Sequence, residues 1–487
     1  MTFRRLPSLC CTMLFAASCI AAPAFAQTSP PLSPTQPSAS TAQPAPPNVR
    51  TAPTSPTAPS VPAAPAGPRT ADQSTANPNP QVGPNAVAQN QPNLAFRAPA
   101  NNRNFSTARV PNMIGDLTGG GGASIVTTGF VSQSVTPPSL NHGRLNVAEN
   151  NSPVVGDRVF LTYRHFENAS DLDYLNGLPN GGSASQSIDR YLLGFEKQLT
   201  DTSSLEFRLP FNSQLDSNLQ FAQLSANQTS VPFGATDFEL GNINFIFKQA
   251  LIDRNDFYLS GGLGLNVPTA PDVSVRTRIT DPVFPFFDFS RNPPTFLGAD
   301  DLDYGSQTVV KNETVNLTPY LSFAYRPGQR TFLQGFLQYD VPLNNSEVRH
   351  DQFFLAANGP AAAQSFRGRL DQQTLMRANV GAGRWLRYRN NSRYFHSIAA
   401  MFEVHYTTAL DNADVVGPFR LATTAPQTFT STSVGNVANR FDIVNLTAGL
   451  PMIVGRTTVT NAFTVPVRGD LNRGFDFEYS LLIDRRF

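Results

Sequence analysis

From Gly156 to the end of the chain, twelve stretches alternate apolar and polar residues, and the links between them alternate in length as well. The stretches fall at about 158–166, 188–199, 204–211, 237–249, 256–267, 314–325, 331–343, 375–388, 394–408, 441–454, 457–467 and 474–487. Period-two alternation gives a strand one apolar and one polar face. The links after the second, fourth, sixth, eighth and tenth stretches are tight, at 200–202, 253–255, 326–329, 389–393 and 455–456. Those after the odd-numbered stretches are long, for example 268–313 and 344–370, except that the eleventh, 468–473, is short. An even number of strands with tight turns at one end and long loops at the other is the pattern of outer-membrane barrels, and a soluble sandwich has no reason to produce it. The fold expected is all-β: a closed antiparallel transmembrane β-barrel of about 12 strands, spanning 156–487.

The last stretch sharpens this expectation. Phe475, Phe477, Tyr479, Leu481 and Ile483 alternate with Asp476, Glu478, Ser480, Leu482 and Asp484, and the sequence ends at Phe487. Aromatic residues at the ends of an apolar row suit a strand crossing two membrane–water interfaces. The aromatic closing residue resembles the signature read by the bacterial barrel assembly machinery, with Phe487 and Tyr479 as the assembly signal.

The other end reads differently. Arg4 and Arg5, the apolar run from Leu6 to Ile20 and Ala24-Phe25-Ala26 have the form of a signal peptide, residues 1–26. Cys19 after Ala16-Ala17-Ser18 offers a lipoprotein alternative. All three cysteines, Cys10, Cys11 and Cys19, lie in this segment, so a chain cut after Ala26 carries no disulfide and no Cys-bound metal. Residues 27–100 are Pro, Ala, Ser and Thr-rich, about a quarter proline, and deny the chain a core. They are expected to form a disordered Pro-rich N-terminal leader. It reads as a periplasmic spacer or as a cell-wall contact, the latter through Arg50, Arg69, Arg97, Arg103 and Arg109. Residues 101–155 are a connector or a plug folded back into the lumen. Gly119 to Gly122 lack the Gly-Lys-Ser/Thr of a phosphate loop. No stretch after the signal approaches the roughly 18–20 apolar residues of a membrane helix. The formal net charge of +1 gives no reason to expect a nucleic acid partner.

In a barrel the lipid face is apolar and the polar half of each alternation turns inward. Leu333, Leu337, Tyr339 and Val341 are then outward, with Gln334, Gln338 and Asp340 inward. Met376, Ala378, Val380 and Ala382 are outward, with Arg377, Asn379 and Arg387 inward. The inward charged set, the lumen-lining candidates, is Arg158, Arg164, Arg190, Glu196, Glu206, Arg208, Lys248, Arg377, Glu403, His405, Asp476, Glu478, Asp484 and Arg486. Antiparallel register about the tight turns sets Glu196 opposite Glu206 and Arg377 opposite His405. The closing seam sets Arg158 and Arg164 beside Asp484, Asp476 and Glu478. These groups serve either as register-fixing pairs, each contributing roughly 0.2–1 kcal/mol, or as the lining of a solute path. A barrel of this size falls between the filled eight-stranded kind and open porins, so its pore should be narrow.

Little else points to chemistry. There are five histidines, and Glu403-x-His405 supplies two groups without a third metal ligand. No Gly-x-Ser-x-Gly elbow is present. An enzyme, a cofactor and a metal are therefore not expected. Residues 282–297 hold five phenylalanines, which suit a binding surface or a loop packed over the pore mouth.

Asp237-Phe-Glu-Leu-Gly241 leading to Lys248, and Gly261-Gly-Leu-Gly-Leu-Asn-Val-Pro-Thr269, are similar to outer-membrane transporters grouped with the phenol-degradation MetA-pathway family. In that family a Gly-Asp precedes the first strand and Pro-Thr-Gly ends the next. Here Thr236 and Ala270 stand in place of the two glycines. The leader and the Asn146-Val-Ala-Glu-Asn-Asn-Ser152 run resemble barrel proteins of planctomycete-type bacteria. The resemblance implies passage of small solutes, aromatic or hydrophobic ones included. The expected function is an outer-membrane channel or transporter, passive or gated, with a structural anchor or surface-binding barrel as the alternative. The expected setting is a monomer in outer-membrane lipid of a Gram-negative-type bacterium, both termini in the periplasm.

Overall fold

The computed structural model describes residues 110–116, 123–129, 132–137, 143–176, 182–213, 218–225, 228–230, 238–288, 295–356, 362–388, 395–422, 428–436, 439–469 and 473–487. Twelve strands form one closed antiparallel ring. They are β1 Arg158–Asn176, β2 Gly182–Thr200, β3 Ser203–Ser213, β4 Ile243–Asp253, β5 Phe257–Val267, β6 Asn316–Tyr325, β7 Thr331–Pro342, β8 Leu375–Tyr388, β9 Phe395–Ala409, β10 Asp442–Val454, β11 Thr457–Pro466 and β12 Phe477–Arg486. Each pairs with its chain neighbour, and β12 returns to β1, with Leu481 opposite Tyr163 and Arg486 opposite Arg158. Closure leaves no open edge, the condition for a sheet in hydrocarbon. The signal peptide, the leader and the glycine run Gly119–Gly122 lie outside the described residues, as do the side chains of 282–297.

The outer wall carries an exposed apolar band that includes Leu161, Leu193, Phe195, Phe247, Leu321, Leu337, Phe402 and Phe463. A continuous band of this kind is a liability in water and fits a bilayer. No helix among the described residues is long and apolar enough to cross a membrane.

Inside, polar and aromatic residues share the wall. On β7 Gln334, Gln338 and Asp340 face in as the alternation requires, but so do Phe332 and Phe336. Trp385, Met401, Tyr258 and Ile246 join them. Arg387 corrects the face assignment: a register shift between Trp385 and Arg387 turns it outward, and it is exposed.

The inward aromatics pack on residues that precede the first strand. Val110, Ile114 and Val154 sit with Tyr258, Phe332, Trp385 and Met401 toward the turn end of the barrel. Met113, Leu145, Val147 and Ala148 sit with Ile246, Tyr320 and Phe336 higher up. The chain therefore passes through the lumen twice. Residues 110–116 form the first pass, from the turn end toward the loop end, and 143–157 the second, back to the start of β1. The passes hold each other by Met113 N donating to Asn151 O at 2.7 Å and Asn150 N to Ile114 O at 3.1 Å.

The long loops are not loose. β1 and β2 have 19 residues each, about twice what a spanning strand needs. Their outer halves join a second tier of sheet at the loop end. There Ser124–Gly129 pairs with Thr428–Gly435, and Ser132–Val135 with the upper part of β1. A six-stranded sheet of loop strands includes Val273–Asp288, Thr295–Val310, Ser346–Ala356 and Ala362–Leu370. The tier has its own apolar core, with Ile125, Val135, Phe221, Val275, Val348, Phe419 and Val434. His350 is buried in it, Nδ1 at 2.8 Å from Thr308 Oγ1 and its ring stacked on Phe419.

Candidate functional site

The lumen holds two dense charge clusters, each joining wall to lumenal segment. In the first, β1 supplies Arg158, whose guanidinium meets Glu196 at 2.6 Å, Glu206 at 2.7 Å and Asp484 at 3.2 Å. Its remaining hydrogens go to Asn150 O at 2.6 Å and Asn151 Oδ1 at 3.0 Å, so every N–H of the fork is used. Lys248 Nζ donates to Glu196, Asn151 Oδ1 and Ser152 O. Arg208 pairs with Glu206 and donates to Asn146 O and Val147 O. Buried charges are tolerated only when paired and hydrogen-bonded, and here the chain supplies both conditions.

In the second cluster Arg164 meets Glu149 at 3.0 Å and also Glu478. It donates to Gly115 O at 3.1 Å and Ile114 O at 2.6 Å. Arg190 reaches Glu149 at 3.5 Å. Glu403 accepts the Ile114 and Gly115 amides, each at 2.9 Å. His405 bonds Asn379 at 2.8 Å and Thr447 at 3.0 Å, which satisfies both ring nitrogens. Among the described residues no three His, Cys, Asp or Glu side chains are arranged to hold a metal ion.

Two of the sequence-derived positions need correction. Asp476 precedes β12 at the loop end, half-exposed, where it pairs with Arg473 and accepts from Asn168 at 2.7 Å. It does not line the lumen, because the inward alternation of β12 begins only at Glu478. Arg377 is opposite Thr407, and His405 opposite Asn379, two residues from the expected register. Arg377 is buried all the same. Arg486 faces the turn-end rim and donates to Asn112 Oδ1 at 2.6 Å.

The sequence reading missed the wall distortion between β3 and β4. Arg208 is opposite Asn244, but Phe211 is opposite Leu240 in the short strand Phe238–Leu240, a slip of one residue. Pro210 at the slip has no amide hydrogen to give, and its carbonyl accepts from Gly241 N at 2.8 Å. The two stretches that carry the family resemblance meet beside it. Thr269 Oγ1 donates to Gly241 O at 2.9 Å, and Asn242 Oδ1 accepts from the Thr269 and Ala270 amides. Behind the slip, between barrel and upper tier, lies a cavity of about 90 Å³ lined by Pro210, Gly241 and Asn242 among others. The signal for the slip was Pro210 within an otherwise regular strand pattern.

No protein-family model matches the chain, and no curated protein matches it. Among solved structures, an outer-membrane channel from Pseudomonas putida F1 aligns at 11% identity and a TM-score of 0.38, over 71% of this chain and 100% of its own. The Pseudomonas putida toluene transporter TodX aligns at 8% identity and 0.37, over 68% and 87%. A TodX deltaS2S3 mutant, a monoaromatic hydrocarbon channel, aligns at 10% and 0.38, over 69% and 91%. At these scores the likeness carries no weight, and the closed ring stands on this chain's own strand pairing.

Proposed function

We propose that the chain is an outer-membrane channel for small solutes whose lumen is gated by residues 110–116 and 143–157 acting as a plug. The observation behind this reading is how the plug is held. Wall side chains grip it through its main chain: Gln338 accepts from Val147 N at 2.7 Å and donates to Leu145 O at 3.0 Å, and Ser260 donates to Pro153 O at 2.6 Å. A barrel needed only as an anchor could fill its interior from its own strands, as eight-stranded barrels do. Here the filler is a separate stretch of chain, held by the Glu149 ion pairs, by apolar packing and by main-chain hydrogen bonds that can be exchanged for water. Embedding in outer-membrane lipid, periplasmic termini and a leader that spaces the barrel from the cell wall complete the proposal. Tight turns on the side of Asp157 and Phe487 suit that orientation.

A disulfide tests it. Asn150 Nδ2 donates to Thr162 Oγ1 at 2.9 Å, plug to wall. Asn150→Cys with Thr162→Cys should pass small solutes into liposomes when reduced and far fewer when oxidised. Equal flux in both states would remove the plug from the mechanism. Silence of the reduced and wild-type proteins alike, in flux and in single-channel recordings, would favour the structural anchor.

A further inference from the structure

Four consecutive wall strands each place an asparagine facing inward near the loop-end rim: Asn212 on β3, Asn244 on β4, Asn266 on β5 and Asn316 on β6. Asn266 is the register partner of both Asn244 and Asn316, so three of them form one cross-strand row. All four are more than nine-tenths buried. In each, Oδ1 accepts no hydrogen bond from any described residue. Burying an amide oxygen without a donor costs about 1–3 kcal/mol, and native structures rarely gather several such atoms in one place.

Asn212, Asn244 and Asn316 line the cavity at the waist. Val273, Val310 and Leu370 of the upper tier add apolar surface to its lining, beside the polar Ser346 and Gln373. Its lining holds three cationic groups, Arg144, Arg190 and Lys311, and three carboxylates, Glu239, Asp371 and Asp414, so its formal charge is balanced. Arg144 has Gln373 O at 2.5 Å and Asp340 at 3.7 Å, Arg190 has Glu149, and Lys311 has Glu347 at 2.9 Å. The lining therefore has no net formal charge to attract an ion. About 90 Å³ is room for about six waters, or for one molecule of roughly that many oxygen and carbon atoms and somewhat more.

We infer that this cavity is a binding subsite for a small, uncharged, hydroxyl-bearing solute of glycerol to pentose size. Its hydroxyls donate to the asparagine oxygens, and its C–H face lies on the valines and leucine. The inference deepens the channel reading by naming the class of solute that pauses above the plug. Gly143 and Arg144 of the plug form part of the cavity floor, so an occupant rests on the element that must move.

The test is direct binding to the full-length protein in detergent, which needs no membrane flux. Glycerol, xylitol and ribose are titrated by ligand-detected NMR, with benzoate and toluene as contrasts. Saturable binding of at least one polyol or ribose is expected, weakened tenfold or more by Asn244→Leu or Asn316→Leu. Ala270→Phe, which fills the cavity without replacing any of the four inward asparagines, should abolish it. Native folding of each variant is checked by its heat-shifted mobility on gels. Binding without flux would sink the channel reading and leave this subsite standing. No saturable binding of the three hydroxylated probes, binding indifferent to all three variants, or tighter binding of benzoate or toluene would overturn the subsite, whatever the flux.

Discussion

Glu196 on β2 and Glu206 on β3 stand directly opposite one another with almost no exposure, and Arg158 enters between them to bond both. Two carboxylates in that position would repel if left alone. Arg158→Leu removes their shared cation and should lower barrel stability by about 3–5 kcal/mol, read as a shift in the urea midpoint in detergent. Arg349→Leu breaks a pair with Asp351 on the exposed face of the upper tier. It should leave that midpoint where it is, since exposed pairs contribute little.

Glu403 holds the first pass of the lumenal segment through two main-chain amides. Glu403→Gln keeps the shape but replaces one acceptor oxygen by a donor group. Hydrogen exchange at Ile114 and Gly115 should accelerate by tenfold or more, while the amides of β8 and β10 keep their protection. Unchanged protection at 114 and 115 would show that the apolar packing of Ile114 and Val110 alone secures this pass.

Gly115 has φ +67°, and a Cβ there would lie 2.6 Å from Glu149 Cα on the second pass. Gly115→Ala therefore meets both backbone strain, about 1–3 kcal/mol, and a clash that only main-chain movement relieves. The two passes should separate. Met113→Cys combined with Gly115→Ala should react with a water-soluble maleimide at least tenfold faster than Met113→Cys alone.

Burial in the upper tier holds the His350 imidazole below its ordinary value of 6.5, against the opposing effects of the Gln352 hydrogen bond and the Asp351 charge. The folded tier therefore binds fewer protons than the unfolded chain just below pH 6.5. Stability that is fully present above 6.5 is lost as pH falls from there through the lowered folded value. Proteolysis of the upper tier should accelerate between pH 7.5 and 5, and His350→Gln should flatten the dependence.

The wall of the barrel was legible because its physics is local. Strand period, tight turns and the Arg158–Asp484 seam follow from residues close in sequence or from closure itself. Glu196 facing Glu206 needed only the turn at Asp201. Arg377 missed its expected partner because Tyr388 pairs with Ser397 and a bulge follows Trp385, which leaves the ladder two residues from the expected register. The filled interior was harder to see. Phe332 and Phe336 stand in phase with Gln334 and Gln338, so the inward row of β7 was never wholly polar. An aromatic residue facing inward needs something to pack on, and no short-range rule says that 110–116 and 143–157 supply it. The upper tier was hidden for the same reason. Its pairs, such as Ser124 with Gly435, join residues hundreds apart, and the sequence marks such stretches only as long loops.

The double passage through the lumen also constrains how the protein can be made. Both passes precede β1 in the chain, and their far bend is stitched into the second tier by Ser124–Gly129 and Ser132–Val135. With β12 paired to β1 the ring is closed around both passes, and the pairs of the bend tie them to the second tier. Shutting the β1–β12 seam after both passes are seated is the order of assembly that this arrangement favours.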